Sequence, residues 1–444
     1  MSMILTVLLM LTMIVSTAAA QTPAPAARTL GLVEAITLAL QQNQQLRVAA
    51  FEVAIARAQL AQARGARSPH VSGQASVTRT QEGSATTIMF FDHGALHTIT
   101  IPAPSPNLYD ARVTLQYPLY TGGRIEAQIA LAEANARGAE ATLERIKQQV
   151  IFGVRQAYFQ LQLAQSGLQV AERGVAQATE NLRVARARVA AGASPRFDEV
   201  QAEVSLATAR QSQVRARNGI AQAMQALAGV LNLPLNTPLR LSDAFAVQPV
   251  RDSADALVAK AVQARPEFAE LAARQAAAQA GIQLAESGGK PNVALQATGS
   301  YSNSSGLFAG SSGATNWSVT LAATLNLYDG GITRERVREA RLRLEQLQAI
   351  EAQQKQGVEL EVRQAYLNLQ SAAEELAGAD ALITQAQEAL RIANVRFQSG
   401  VGTNLEVLNA QTAASQAEAS KAQALFTYSL ARATLERAVG ADLP

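Results

Sequence analysis

The chain says the same thing twice. Val154-Arg155-Gln156-Ala157-Tyr158 returns 208 residues later as Val362-Arg363-Gln364-Ala365-Tyr366, and the same offset carries Tyr120 onto Tyr328, Gly122-Gly123 onto Gly330-Gly331 and Gly192 onto Gly400. A duplication of this length requires a fold made of two equivalent halves. Each half reads as a helical segment, two strands, a very long helix, a tight turn and a helix back. The boundaries that follow are a signal segment at 1–20, a linker at 21–28, a first repeat at 29–231, an inter-repeat linker at 232–252, a second repeat at 253–440 and a tail at 441–444.

The apolar run over residues 4–19 is too short for a stop-transfer helix and closes on Ser16-Thr17-Ala18-Ala19-Ala20-Gln21. That pattern predicts a secretory signal, although no Lys or Arg precedes it. After it, no segment reaches the roughly 18 to 20 consecutive apolar residues of a transmembrane helix, so any membrane entry must be by strands. The chain has no cysteine, which excludes a disulfide framework, a zinc–thiolate cluster, a thiol nucleophile and a lipidated cysteine. A net charge of only +3, with signs alternating along the helices, argues against nucleic acid as a partner. No phosphate loop, nucleophile elbow or catalytically spaced carboxylate or histidine set is present, so the expectation is no enzyme, no cofactor and no metal.

Four stretches alternate strictly, each with its apolar set on odd numbers. They are Val71 to Val77, Tyr109 to Leu119, Val293 to Tyr301 and Trp317 to Leu327, with Ser, Thr, Gln, Asn, Asp110 and Arg112 on most of the even positions between. Period two with one polar face means a sheet wetted on one side. A soluble sheet on a core and a membrane barrel both satisfy it. The lengths match a tilted crossing of a roughly 25 Å apolar band, and Tyr109, Tyr301, Trp317 and Tyr117 lie near strand ends, as an interfacial girdle requires. Four strands cannot close a barrel, so several copies must share one. Pro118 interrupts the second strand near its end. The segments 81–108 and 302–316 read as surface loops, with His93 and His97 in the first as solvated residues rather than a metal pair.

From Arg124 to about residue 191 and from Thr333 to about residue 399 there is no proline, which predicts two helices each roughly 100 Å long. Leu161, Leu168, Val175, Leu182 and Val189 recur every seven residues, with Ala164, Ala171, Ala178 and Ala185 between them. The second half repeats the lattice as Leu369, Leu376, Ile383, Leu390 and Phe397, with Ala372, Ala379, Ala386 and Ala393. Such large–small heptads pack helices side by side as a coiled coil. Each long helix ends at a glycine turn, one holding Gly192, Ser194 and Pro195, the other Gly400, Gly402 and Thr403. Ser194-Pro195 suits an N-cap followed by a first helical residue, and Thr403 with Glu406 spells a capping box. Shorter helices are expected over 31–65 and 253–287, each running into the first strand of its half.

With its paired Tyr-x-Gly-Gly turns (Tyr120 to Gly123, Tyr328 to Gly331), its Val-Arg-Gln-Ala-Tyr segments and its tip from Gly400 through Gln411, the mature chain resembles the TolC-like outer-membrane efflux proteins. The resemblance implies a mixed membrane protein: a trimeric twelve-strand β-barrel, four strands per chain, continued by an α-helical coiled-coil tunnel in the periplasm. It implies an exit duct in the outer membrane, docked to a periplasmic adaptor and an inner-membrane transporter of a tripartite efflux or type I secretion system. Glu406, Asn409 and Asp198 fall where that family's periplasmic entrance is acidic, with Asn409 standing where many relatives carry Asp. The resemblance marks Gly192, Ser194, Gly400, Gly402 and Thr403 as adaptor-docking tips, and Tyr120, Gly122, Gly123, Tyr328, Gly330 and Gly331 as the junction of barrel and tunnel. No arginine is evident where that family's tip carries the partner for an ion-pair latch. The rival reading is a soluble periplasmic coiled-coil scaffold whose sheet serves only to oligomerise.

Overall fold

The computed structural model describes residues 28–81, 84–101, 107–245, 247–302 and 314–443. The expected signal segment and most of the second loop lie outside them. In chain order the first half holds β1 (Arg28–Leu30), α1 (Leu32–Gln42), α2 (Gln44–Gly65), β2 (His70–Arg79), β3 (Thr86–Asp92), β4 (Ala95–Ile101), β5 (Asn107–Tyr120), α3 (Arg124–Ala190) and α4 (Arg196–Val230). The second half holds β6 (Leu239–Leu241), α5 (Ala254–Ala264), α6 (Pro266–Glu286), β7 (Asn292–Ser302), β8 (Ala314–Thr324), α7 (Ile332–Gln398) and α8 (Asn404–Val439). The two long helices, α3 and α7, have 67 residues each, and their ends are related by the 208-residue offset.

The expected strands form one antiparallel sheet in the order β2-β5-β7-β8. Apart from a shift after Pro118, its register keeps odd numbers opposite odd numbers, so the alternation of each strand becomes a property of the sheet. Val71, Leu115, Ala297 and Val319 make one cross-strand row, and Gly73, Val113, Gly299 and Trp317 the next. The opposite face carries Gln74, Arg112, Ser300 and Asn316, then Ser72, Thr114, Thr298 and Ser318. Among the described residues nothing covers its apolar face: Trp317 is 80% exposed and Leu321 65%. Among the described residues, both edge strands, β2 and β8, are paired on one side only.

Five local expectations are corrected. The segment 81–108 is not simply a loop, because Thr86–Asp92 and Ala95–Ile101 pair as a hairpin. His93 (φ 47°) and Gly94 (φ 87°) both take left-handed conformations, the geometry of a two-residue turn that matches strand twist, and Phe90 stacks on His97 with ring centroids 5.7 Å apart. The helix expected over 31–65 is broken at Asn43, whose side-chain oxygen accepts from the N–H groups of Gln45 and Leu46 and starts α2 afresh. The one over 253–287 is broken at Arg265, held extended by the proline that follows it. The fourth strand ends at Thr324, leaving Leu325 and Leu327 outside the ladder. The inter-repeat segment contributes β6, which pairs in parallel with β1. Pro118 sits at a register shift between β5 and β7, where a missing N–H costs the ladder least.

The chain divides into two compact units, and each draws on both repeats. One comprises Asn43–Phe152, Gln248–Glu374 and Leu430–Pro444, and holds the four-stranded sheet. A buried arginine ties its helices together. Arg265, at the α5–α6 break, pairs with Glu267 (3.1 Å) and Glu361 of α7 (2.6 Å), and donates to the carbonyl of Ala438 (3.3 Å) near the end of α8. Gly440, with φ 79°, closes α8 against it, since a Cβ there would stand 3.0 Å from the Arg265 side chain.

The other unit holds β1, α1, α4, β6 and the portions of α3, α7 and α8 within Gly153–Val247 and Glu375–Ser429. Its two helical hairpins pack on the predicted lattice. Val175, Ala178, Leu182 and Ala185 of α3 meet Ala202, Leu206 and Ala209 of α4. Ile383, Ala386 and Leu390 of α7 meet Ala414 and Ala417 of α8, which stand 208 residues after Leu206 and Ala209. Of the expected coiled-coil residues, Leu161, Leu182, Leu369 and Leu376 are buried, and Leu168, Val175, Ile383 and Leu390 half-buried.

A hydrogen-bonded lock pins β1 and β6 to α3 in this unit. The Tyr158 hydroxyl, 1% exposed as a residue, lies 3.2 Å from both the Leu30 carbonyl and Oδ2 of Asp243. Asp243 also accepts from the first N–H of α1 at Leu32 (2.7 Å), and its carbonyl accepts from Gln162 (2.7 Å). Burial, then the Asp243 carboxylate, pushes the Tyr158 phenol up to about 12 from its ordinary 10. A proton held more tightly in the folded state stabilises below pH 10, and that contribution disappears as pH rises to about 12. Tyr158→Phe is expected to cost about 1 kcal/mol at neutral pH and to flatten the loss of stability between pH 10 and 12 in melts of the detergent-solubilised protein.

Candidate functional site

The tips of the two helical hairpins carry the candidate site, and the same backbone device builds both. At the first, Gly192 (φ 69°) donates to the Val189 carbonyl and Ala193 to that of Arg188. At the second, Gly400 (φ 80°) donates to Phe397 and Val401 to Arg396. Both are the paired closing bonds of a helix that ends on a left-handed glycine. Gly402 is favoured for a different reason: a Cβ there would lie a tight 3.0 Å from Arg396 Cβ and from the Phe397 nitrogen.

The second tip carries the predicted cap. The N–H of Glu406 donates to Oγ1 of Thr403 (3.3 Å), whose hydroxyl lies 3.4 Å from Oε1 of Glu406. The first tip departs from expectation, since Pro195 itself takes the cap position of α4 with no side-chain bond, while Asp198 and Glu199 sit in the first turn. Asp198 and Ser194 are half-buried, Thr403 is exposed, and Asn409 lies exposed one turn beyond Glu406. The two tips meet where Asn404 Nδ2 approaches the Asp198 carbonyl at 3.5 Å.

Two arginines complete the site. Arg396, in the last turn of α7, places Nε 3.5 Å from Oε2 of Glu406, and so supplies the cation that the tip sequence itself lacks. Arg188 stands 208 residues earlier, at the equivalent place on α3, but reaches to the other hairpin. Its Nη1 donates to the Phe397 carbonyl (2.8 Å), and its guanidinium lies 4.6 Å over the Phe397 ring. Phe397 is itself buried with Ala393 and Val407, against Val184 of α3. The repeat offset makes the two arginines equivalent in sequence, but their different partners come only from the fold.

At the sheet end, the Tyr-x-Gly-Gly turns also have equivalent backbones: Gly122 and Gly123 take φ 63° and 88°, Gly330 and Gly331 take 67° and 88°. The variable residue starts the long helix that follows. Thr121 Oγ1 accepts from the Ile125 N–H, and Asp329 accepts from those of Gly331 and Thr333. Tyr120 is 51% and Tyr328 91% exposed.

A family model described as "Outer membrane efflux protein" matches residues 35–233 and 257–441. The chain belongs to the outer membrane efflux protein family. It is accordingly a protein of the outer membrane. Protein CyaE of Bordetella pertussis is 28% identical over 305 residues, 68% of this chain and 64% of that protein, so the chain spans about two thirds of that relative's length. The solvent efflux pump outer membrane protein SrpC of Pseudomonas putida is 26% identical over 396 residues, 86% and 78% of the two chains. Among solved structures, a membrane protein from Pseudomonas aeruginosa superposes with TM-score 0.76 at 24% identity, covering 92% of this chain and 93% of that one. The open state of the Neisseria gonorrhoeae MtrE outer membrane channel gives 0.73 at 22%, covering 92% and 89%. The fold of this efflux family member is therefore that of outer-membrane channels with four strands per chain and long helices.

The chemistry of the tip sets an order of importance. Arg188→Ala should lower stability by about 2 kcal/mol, because it removes both a stacked cation and a donor to a helix-end carbonyl. Arg396→Ala should cost less than about 1 kcal/mol, because its ion pair is exposed. Thermal melts of the two variants would check the order.

Proposed function

We propose that this chain is one protomer of a trimeric exit duct that conducts solutes passively across the outer membrane for an energised inner-membrane partner. The observation that carries the reading is the four-stranded sheet with two free edges and an uncovered apolar face. In lipid each unpaired backbone group at an edge costs several kcal/mol, so the edges must be closed by other copies. The smallest bacterial barrels have eight strands, so at least two copies are needed, and the family resemblance supplies three, closing a twelve-strand barrel. The odd-numbered face then meets lipid, and the even-numbered face, with Arg112, Gln116, Gln296 and Thr320, lines the bore. A soluble scaffold is disfavoured because it would leave Trp317, Val319, Leu321, Val113 and Val71 in water, each more than half exposed.

In this reading the hairpin tips form the periplasmic entrance, and Glu406, Asn409 and Asp198 set its charge. Gly192, Ser194, Gly400, Gly402 and Thr403 shape the surface on which a periplasmic adaptor docks. Phe197, Val401 and Leu405, more than half exposed beside those turns, supply apolar area for such a partner. Tyr120, Gly122, Gly123, Tyr328, Gly330 and Gly331 make the junction of barrel and tunnel. Relatives are named for solvent, toluene and cation efflux, so the shared element is the duct and not the cargo.

The protein should partition with outer membranes, require detergent for extraction, and insert into planar bilayers as a conducting pore. Glu406→Gln should reduce the cation preference of that pore at low salt, where an exposed carboxylate ring is least screened. A protein that is soluble without detergent, or that never conducts, would defeat the duct reading; unchanged selectivity would remove Glu406 from the entrance.

A further inference from the structure

Where the sheet gives way to helix there is a cavity of about 520 Å³. It lies in the crook between the entry to β2, the exit of β5 and the entry to β7, and its lining includes Arg67, Tyr117, Leu119, Tyr120, Glu126 and Lys290. Tyr117 belongs to the odd-numbered apolar face of β5, so that face runs directly into the cavity. Tyr117, Leu119 and Tyr120 are 36%, 51% and 51% exposed there.

Two cations stand at the end of this apolar track. Arg67 follows α2, and its guanidinium makes a loose, exposed pair with Glu126 at 3.5 Å. Lys290 precedes β7 and is held against the turn by a close approach: a Cβ on Gly122 would lie 2.6 Å from Lys290 Cβ, so only glycine, at φ 63°, admits it. Two cations against one carboxylate leave the cavity with one positive charge in excess. An apolar track, two tyrosines with free rims and an excess cation together match an acyl chain leading to a phosphodiester.

We propose that this cavity seats the headgroup of a glycerophospholipid, its phosphodiester between Arg67 and Lys290 and an acyl chain along the odd-numbered face of β5. The inference rests on the outer-membrane orientation of the sheet proposed above. At this end β5 passes into α3, so the leaflet concerned is the periplasmic one. The site would anchor the sheet–helix junction at a fixed depth, with the tyrosines at headgroup level.

The test is native mass spectrometry of the full-length protein in detergent, titrated separately with phosphatidylglycerol, diacylglycerol and soluble glycerol 1-phosphate. Phosphatidylglycerol should be retained at least tenfold better than either of the others, and Arg67→Gln with Lys290→Gln should reduce its retention about tenfold. Equal retention of diacylglycerol would mean a merely apolar surface, and equal binding of glycerol 1-phosphate a free anion site; either overturns the proposal, as does a double variant that retains lipid like the parent. If the double variant does not assemble, Lys290→Gln alone should still lower retention several-fold. Planar-bilayer conductance of the parent separates the two readings: a conducting pore without lipid preference refutes the seat alone, and a parent that never conducts refutes the duct.

Discussion

A strand in hydrocarbon has nowhere to place its backbone N–H and C=O groups except on another strand, and this constraint governs the rest of the structure. The β2-β5-β7-β8 sheet satisfies it internally through ladders of ten or more residue pairs, and fails it at both edges. The consistent odd-to-odd register matters as much as the ladders. A slip of one residue would carry Val113, Leu115 and Trp317 to the polar side, so register and solvent preference enforce each other. Trp317 pairs in register with Gly299, so the bulkiest residue of β8 stands on the odd-numbered face opposite the smallest of β7.

The helices answer a different demand. A 67-residue helix in a protein draws most of its stability from packing along its flank rather than from propensity. The heptad of large and small residues provides that in each hairpin, but the repeats do not fill their seams identically. Leu206 of α4 packs against Ala178, Leu182 and Ala185, whereas the equivalent position on α8 is Ala414, beside Ile383 and Leu390. The duplication conserves the lattice and lets side-chain volumes differ within it.

Turns convert one kind of element to the other, and here the two halves agree most closely in backbone. Left-handed glycines recur at the sheet exits and at the hairpin tips with φ values within about 10° of their counterparts. The side chains around them have diverged. Gly122 is crowded by Lys290, while a Cβ on Gly330 would meet nothing within 4 Å. Arg396 pairs with Glu406 on its own hairpin, while Arg188 crosses to Phe397. Equivalent positions thus do unequal work.

Periodicity and punctuation alone determined the two halves, the strand faces, the heptad lattice, the glycine turns and the Thr403 cap, because each is a local or fixed-spacing relation that the residues themselves carry. Asn43 and Pro266 were local breaks too, but a helical period on both sides concealed them. The tertiary structure alone decided what depends on distant segments meeting. Tyr158 is one residue of a repeated motif until Leu30 and Asp243, more than 80 residues away on either side, close on its hydroxyl. Arg188 is a surface heptad arginine until Phe397 comes beneath it. Spacing along one chain encodes which face of a helix or strand a residue occupies, but not what stands opposite, and the chemistry of the tip and of the lock comes from what stands opposite.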